Sequence, residues 1–244
     1  MLVKSRVKYI QSLGQKKFRE QEGLFLAEGP KLVEELLEEG SSVINEIYAV
    51  KEWITAYKKL LGKTQVIEIT PEELEKISHL STPNKVLAIV KQYEIPSIMD
   101  LKGKITLVLD CIQDPGNMGT IIRIADWFGV HQIVCSPDSA DHYNFKVVQA
   151  TMGSISRVNV LYTDLNEWLS ANATIPVYAA VLHGDDITGM KPLNEGILLI
   201  GNESKGISNG LLKHANIKIT IPKKGKAESL NAAVATGIIL SHIC

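Results

Sequence analysis

Three polar blocks hold the residues of this chain whose types and spacing could do chemistry. The last, residues 221–235 (IPKKGKAESLNAAVA), runs a basic, glycine-containing loop into Ser229-Leu230-Asn231 and then into a small-residue helix. A helix opening needs partners for its free backbone amides, and Ser229 could supply one as an N-cap. That leaves Asn231, set among apolar neighbours, and Gly225, flanked by Lys223, Lys224 and Lys226. Taken alone, the block reads equally as a ligand loop or as a capped packing helix.

The first block, residues 110–129 (DCIQDPGNMGTIIRIADWFG), is a strand end, a Pro-Gly turn and a helix. Asn117 stands where an N-cap is expected, and Gly119 permits close approach of a backbone or ligand. Arg123 is one of only four arginines beside 22 lysines. Its plainest role is a surface contact, pairing with Asp126 or stacking on Trp127. Ile121, Ile124, Ala125 and Phe128 form the expected core stripe of this helix. The second block, residues 197–208 (ILLIGNESKGIS), ends a buried strand in Gly201-Asn202-Glu203 and continues through Gly206. The two glycines have phosphate-loop separation, but the lysine precedes the second glycine instead of following it, which argues against a nucleotide triphosphatase. The ordinary alternative is a turn with both glycines at positive φ and Glu203 in solvent.

These blocks need strands and helices to position them. Apolar runs alternate with helical patterns along the chain, which predicts an α/β protein with largely parallel strands. In the first part, strands are expected at 23–29, 43–50, 64–69 and 85–93, with helices at 31–39 and 71–80. Residues 95–104, with Pro96 and Gly103, break the pattern and read as a linker. Six strands follow, at 105–110, 131–136, 156–162, 177–182, 197–201 and 217–222, with helices at 118–128, 143–151, 164–171, 208–214 and 229–242. The near-continuous apolar character of these strands suits a sheet covered on both faces. All three blocks then follow strand carboxyl ends, where open α/β sheets bind ligands.

Composition narrows the classes further. The chain has 244 residues, 45% hydrophobic and 22% charged, as in a globular protein of one or two domains. No membrane span and no signal-peptide core is evident, so a cytosolic protein is expected. Cys111, Cys135 and Cys244 are far apart and the six histidines scattered, so neither a disulfide framework nor a metal site is expected. The net charge of -1 conceals two basic stretches free of acids. One holds Lys4, Arg6, Lys8, Lys16, Lys17 and Arg19, and the other Lys213, Lys218, Lys223, Lys224 and Lys226. Such patches either hold a polyanion or simply keep a surface solvated. No G-x-G pair occurs among the 18 glycines, which argues against dinucleotide-binding dehydrogenases and the commonest methyltransferase class. No G-x-S-x-G elbow is present for a serine hydrolase.

Together and in this order, the three blocks resemble the SpoU (TrmH) family of RNA ribose 2′-O-methyltransferases, in the SPOUT superfamily. Asn117, Gly119, Arg123 and Gly129 match its first motif. Gly201, Asn202, Glu203 and Gly206 match the second, and Ile221, Pro222, Gly225, Ser229, Leu230 and Asn231 the third. Lys223 departs from the family pattern, standing where an apolar residue is common. Around Phe25, Glu28 and Gly29 the chain is similar to the family's N-terminal substrate-binding domain.

The resemblance implies a C-terminal catalytic domain (105–244) with a six-stranded parallel sheet, helices on both faces and a trefoil knot. Before it would come a small ribosomal-protein-like α/β RNA-binding domain (1–94) and a linker (95–104). It implies S-adenosylmethionine held by Gly201, Asn202, Ser229 and the backbone of Ala180, Val181 and Leu182, with Ile221 and Leu230 as apolar walls. Arg123 would stabilise charge on the ribose oxygen, supported by Asn117, Glu203, Ser229 and Asn231. RNA, ribosomal or transfer, would be held by Lys4, Arg6, Lys16, Lys17, Arg19, Lys223 and Lys224, and a homodimer is expected. The alternatives are a catalytically silent RNA-binding protein on the same fold and methylation of a base.

Overall fold

The computed structural model describes residues 1–96 and 99–244, apart from the side chain of Ser41. Residues 97 and 98, within the expected linker, lie outside the described residues. In chain order the elements are α1 (Lys4–Ser12), α2 (Lys16–Glu22), β1 (Leu24–Glu28), α3 (Pro30–Gly40), β2 (Ile44–Ala49), α4 (Lys51–Ala56), α5 (Lys58–Leu61), β3 (Val66–Glu68), α6 (Pro71–Ile77) and β4 (Val86–Lys91). They continue with β5 (Ile105–Leu109), α7 (Pro115–Trp127), β6 (Gln132–Cys135), α8 (Phe145–Thr151), β7 (Asn159–Tyr162), α9 (Leu165–Ala171), β8 (Val177–Asp186), β9 (Gly196–Ile200), α10 (Asn209–Leu212), β10 (Ile217–Thr220) and α11 (Ala232–Ile243). Two compact units result. Met1–Glu94 groups with Asp141–Ser156, and Ile95–Ala140 with Arg157–Cys244. Among the described residues, no helix is long and apolar enough to cross a membrane.

The first unit is built on a four-stranded sheet of order β1-β4-β2-β3. Helix α3 buries Leu32, Val33, Leu36 and Leu37, an i, i+1, i+4, i+5 stripe that sets its inward face. Helix α6 starts from a capping box between Thr70 and Glu73 with Pro71 at its first position, which satisfies its free amides and fixes where it begins. The expectation of largely parallel strands fails in this sheet. β4 runs antiparallel to both β1 and β2, and only β2 and β3 are parallel. Val86 to Val90 are all buried, and a strand covered on both faces gives a continuous apolar run whichever way it points.

Two of the expected RNA contacts turn out to be structural. Arg19 is 2% exposed. Its guanidinium donates to the carbonyls of Leu13 (3.0 Å) and Gly14 (2.8 Å) and pairs with Asp141 at 2.5 Å. A buried arginine so engaged has no surface to offer a phosphate, so Arg19 is a structural residue and not an RNA contact. Arg6 is half-buried and held by Tyr48 (2.6 Å) and Glu46. Lys4, Lys16 and Lys17 are exposed. Next to Asp141, the buried His142 lies against Tyr143, with ring centroids 3.8 Å apart. Burial holds the His142 imidazole down, from 6.5 to about 4. The unfolded chain therefore takes up this proton first as pH falls. His142's contribution to stability is complete above pH about 6.5 and is lost progressively towards pH about 4. Denaturant midpoints measured across this window should fall in the native protein, and less steeply in His142→Phe.

The second unit carries a six-stranded, all-parallel sheet of order β10-β8-β9-β5-β6-β7. Val108, Val134, Ile197 and Leu199 cluster with Leu165 and Leu169 of α9 and Leu211 of α10. The alternate residues Leu107, Leu109, Ile133, Leu198 and Ile200 are also buried and face the opposite side, which leaves α7 and α11 to cover it. These two helices pack on one another, and Gly237 of α11 lies where a Cβ would sit 3.5 Å from Ile124.

One irregularity matters for function. β8 runs to Asp186, further than its apolar run, and its pairing with β10 steps from Ala179↔Lys218 directly to Asp185↔Ile219. Its pairing with β9 stops at Ala179. Residues 180–184 therefore have no register partner in either ladder. Gly184 closes the excursion where a side chain would not fit, since a Cβ there would lie 2.6 Å from the Lys218 carbonyl group.

Candidate active site

The three blocks converge within the second unit, at the carboxyl ends of β5, β9 and β10. Helix α7 is opened by Asp114, whose side chain accepts from the Asn117 amide at 2.8 Å, with Pro115 next in the chain. Asn117 is therefore in the first turn and is not the cap, so its side chain is free for other partners. Its Nδ2 donates to Glu203, and its Oδ1 accepts from Asn231 Nδ2 at 2.7 Å. One asparagine from the first block thus bridges the second and the third.

Asn231, not Ser229, is the N-cap of α11. Its Oδ1 accepts from the amides of Ala233 (2.9 Å) and Val234 (3.2 Å). The small residues Ala232, Ala233 and Thr236 are buried behind it. Asn231→Ala removes both the cap and the bridge to Asn117. It is expected to cost about 1 kcal/mol through the cap, measured by denaturation. Ser229 sits in the exposed stretch 222–231 with Lys223, Lys224 and Leu230, while Ile221 is half-buried.

The second block forms a hydrogen-bonded loop. The backbones of Asn202 and Gly206 exchange hydrogen bonds at 3.1 and 2.8 Å. The Asn202 side chain accepts from the amides of Ser204 and Lys205 and donates to the Cys111 carbonyl at 2.9 Å. These bonds let the Asn202 side chain shape the loop. Gly206 has φ +68°. Gly201 packs against it so closely that a Cβ would come 2.3 Å from the Gly206 carbonyl carbon. Asp110, 8% exposed, anchors the loop's far end by accepting from the Ser208 amide at 2.7 Å. The Cys111 thiol, held by the Asp138 carboxylate and partly desolvated, is pushed up to about 11 and stays protonated at neutral pH.

Arg123 lies on the same helix as Asn117, on its exposed side. Neither contact expected for a surface arginine forms. Asp126 is taken by Arg157, at 2.9 Å, and Trp127 is 84% exposed. Among the described residues, Arg123 has no ion-pair or hydrogen-bond partner. Inward, α7 buries Met118, Gly119, Ile121, Ile122 and Ala125. Ile124 and Phe128, expected in the core stripe, are only half-buried, because the stripe is centred on Ile121, Ile122 and Ala125 instead.

Around the excursion in β8, Ala180 and Val181 are half-buried and Leu182 is 66% exposed. The Leu182 carbonyl accepts from Thr220 Oγ1 at 3.2 Å. Sequence reasoning missed Asp110 and Asp114. For Asp114 the signal was available, because aspartate immediately before proline, followed by a helical pattern, is a helix-start signature. Asp110 gave no signal, since its role depends on a loop nearly 100 residues away.

A parallel α/β domain whose loops are joined by a polar bridge at the strand carboxyl ends has the form of a ligand-binding domain. The sequence profile of the SpoU rRNA methylase family matches residues 104–241, and that of an MRM3-like substrate binding domain matches residues 4–88. The chain belongs to the SpoU rRNA methylase family. It is 30% identical over 241 residues to the 23S rRNA (guanosine(2553)-2′-O)-methyltransferase RlmP of Bacillus subtilis, covering 98% of this chain and 95% of that one. A TrmH-family protein of Porphyromonas gingivalis superposes with a TM-score of 0.87 at 34% identity, covering 99% of this chain and 98% of that one. The AdoMet-bound rRNA methyltransferase of Sinorhizobium meliloti gives 0.86 at 32%, covering 99% and 95%.

Proposed function

We propose that the protein transfers a methyl group from S-adenosylmethionine to a ribose 2′-hydroxyl of structured ribosomal or transfer RNA, in the cytosol. The observation that carries this reading is the Asn231–Asn117–Glu203 bridge, which ties the three blocks into one site. The donor fits the residues present. Residues 180–184 have backbone outside both ladders. Gly201 has no room for a Cβ, and Leu182 and Leu230 present apolar surface. Gly201, the backbone of Ala180 to Leu182, Ile221 and Leu230 would hold it, with Ser229 at the rim. When bound, S-adenosylmethionine supplies a methyl group on a positively charged sulfur.

The chain's own task is to hold the ribose oxygen in line and stabilise the charge that develops on it. Positioning supplies much of the rate in such a transfer. Arg123 is an unsuitable base, since a guanidinium does not lose its proton in proteins. It is suited as a donor to the developing alkoxide or an adjacent phosphate. Asn117, Glu203 and Asn231 keep α7, the loop after β9 and the start of α11 in register around it. The exposed Lys4, Lys16, Lys17, Lys223 and Lys224 are suited to RNA phosphates.

We also propose that α7 and α11 form the face of a homodimer, because Trp127 (84%) and Val234 (50%) leave apolar surface exposed on these two packed helices. The family's trefoil knot would lie in the chain from β9 to α11. The function is tested with tritiated S-adenosylmethionine and RNA from cells lacking the protein. Label should enter the RNA and survive alkali in dinucleotides, because a methylated 2′-oxygen cannot attack the neighbouring phosphate. Absence of transfer, or label recovered wholly in mononucleotides, would refute the proposal.

A further inference from the structure

We infer that Glu203 is the general base of the proposed reaction, its free carboxylate oxygen taking the proton of the ribose 2′-hydroxyl as the methyl group is transferred. The inference rests on the proposed function and assigns a step that this reading leaves open. Arg123 keeps its own proton, so another group must receive the one that the ribose oxygen loses.

The direction of the bridge points to Glu203. Backbone amides can only donate, so those of Ala233 and Val234 fix the Asn231 side chain with its Oδ1 towards α11. Its Nδ2 then donates to Asn117 Oδ1 at 2.7 Å. That leaves Asn117 Nδ2 to donate to Glu203. Every link runs the same way, from the opening of α11 to the carboxylate, and hydrogen bonds in such a chain polarise one another. The last member must accept, a task suited to an ionised carboxylate, which has acceptor oxygens only. If Glu203 merely joined its loop to α7, glutamine would serve as well, because its carbonyl accepts the same bond. What the carboxylate adds is a second, charged oxygen.

That second oxygen is open. The bridge occupies Oε1 of the half-buried Glu203. Oε2 has no hydrogen-bond or ion-pair partner among the described residues and is not sealed from solvent. The neighbouring carboxylates are committed elsewhere. Asp110 accepts from the Ser208 amide, Asp114 caps α7, and Asp138 holds the Cys111 thiol.

The step balances. A lone pair of the ribose 2′-oxygen bonds to the methyl carbon while the carbon–sulfur bond breaks, and the electrons of that bond leave the sulfur neutral. The 2′-O–H proton passes to Glu203 Oε2 and from there to solvent. Bonding to carbon makes this proton strongly acidic, so a carboxylate is basic enough to take it during the transfer.

The test compares the native protein with Glu203→Gln, which keeps the acceptor for Asn117 and removes the base. Single-turnover methyl transfer should fall at least about 10²-fold, while S-adenosylmethionine affinity by calorimetry and the melting temperature stay close to native. Native kcat/KM for RNA should fall towards acid pH as Glu203 takes up a proton. In Glu203→Gln this limb should vanish, and the residual rate should rise about tenfold per pH unit as hydroxide takes over. Other charged groups stand near, namely Asp110, Asp114 and Arg123 around α7, Asp138 after β6, Lys205 on the same loop and the stretch 223–228 before α11. A readout independent of activity therefore assigns the limb. With S-adenosylmethionine present, the Asn117 side-chain amide resonance of ¹⁵N-labelled protein, identified by its loss in Asn117→Ala, should shift with the same midpoint. It should stay still in Glu203→Gln. A smaller loss of turnover in Glu203→Gln, or an acid limb whose midpoint the Asn117 amide does not share, would overturn the inference and leave the proposed function standing. No transfer to ribose by the native protein would refute the proposed function, and the inference with it.

Discussion

Arg123→Ala is expected to lower methyl-transfer turnover by about 10²–10³-fold, the usual loss when a donor to a developing oxyanion is removed. S-adenosylmethionine affinity and thermal stability should stay at native values. The separation follows from the surroundings of Arg123. Among the described residues the side chain is exposed and unpaired, while the packing of α7 rests on Met118, Ile121, Ile122 and Ala125. Truncating it leaves no cavity and no orphaned buried charge, so stability should change by less than about 0.5 kcal/mol. Lysine at the same position keeps the charge but loses the planar fork that can grip an oxyanion and a phosphate together. Arg123→Lys should recover only part of the activity. Single-turnover kinetics alongside calorimetric titration of the cofactor separates the two quantities. Native turnover in Arg123→Ala would remove the residue from the mechanism.

Gly201→Ala is the second large effect. The atoms nearest a Cβ at this position are the Gly206 carbonyl carbon (2.3 Å), the Ile207 nitrogen (2.4 Å) and the Gly206 oxygen (2.6 Å). All are backbone, so no flexible side chain can move aside. Overpacking of this kind costs about 1–3 kcal/mol. The loop that must yield carries Glu203, the partner of Asn117, and cofactor affinity should fall at least tenfold with it. Gly225→Ala is the control. It lies in the third block, but nothing stands within 4 Å of its Cβ position and its φ is not positive. It should unfold at the native denaturant concentration. Equal destabilisation of the two variants would contradict the close-packed loop described above.

How far the sequence carries the structure depends on how local each feature is. The ten strands among the described residues are all legible in the sequence, since each is a short apolar run between turn signals, and so is the position of the three blocks at strand ends. Strand direction in the first sheet was not legible, because burial on both faces of β4 removes the alternation that could separate one arrangement from another. The helix caps moved by a few residues. Asp114 and Asn231 cap where Asn117 and Ser229 were expected, and the shift matters because it frees Asn117 to make the bridge. Arg19 shows the limit of reading charge along a chain. It sits in a basic run, but its partner Asp141 is 122 residues away, and only the folded unit reveals that it is buried. The excursion at residues 180–184 was equally hidden, because a register slip against β10 leaves no mark in the composition of either strand.

The central claim is that one site, formed by the three blocks, delivers a methyl group to a ribose oxygen. It is tested most directly by incubating RNA with deuteromethyl S-adenosylmethionine and the native protein or Arg123→Ala, digesting to nucleosides and locating the label by tandem mass spectrometry. The account predicts a deuteromethyl group on the sugar fragment of one nucleoside with the native protein, and a sharply reduced signal with Arg123→Ala. Label on the base fragment, or equal labelling by both proteins, would contradict it.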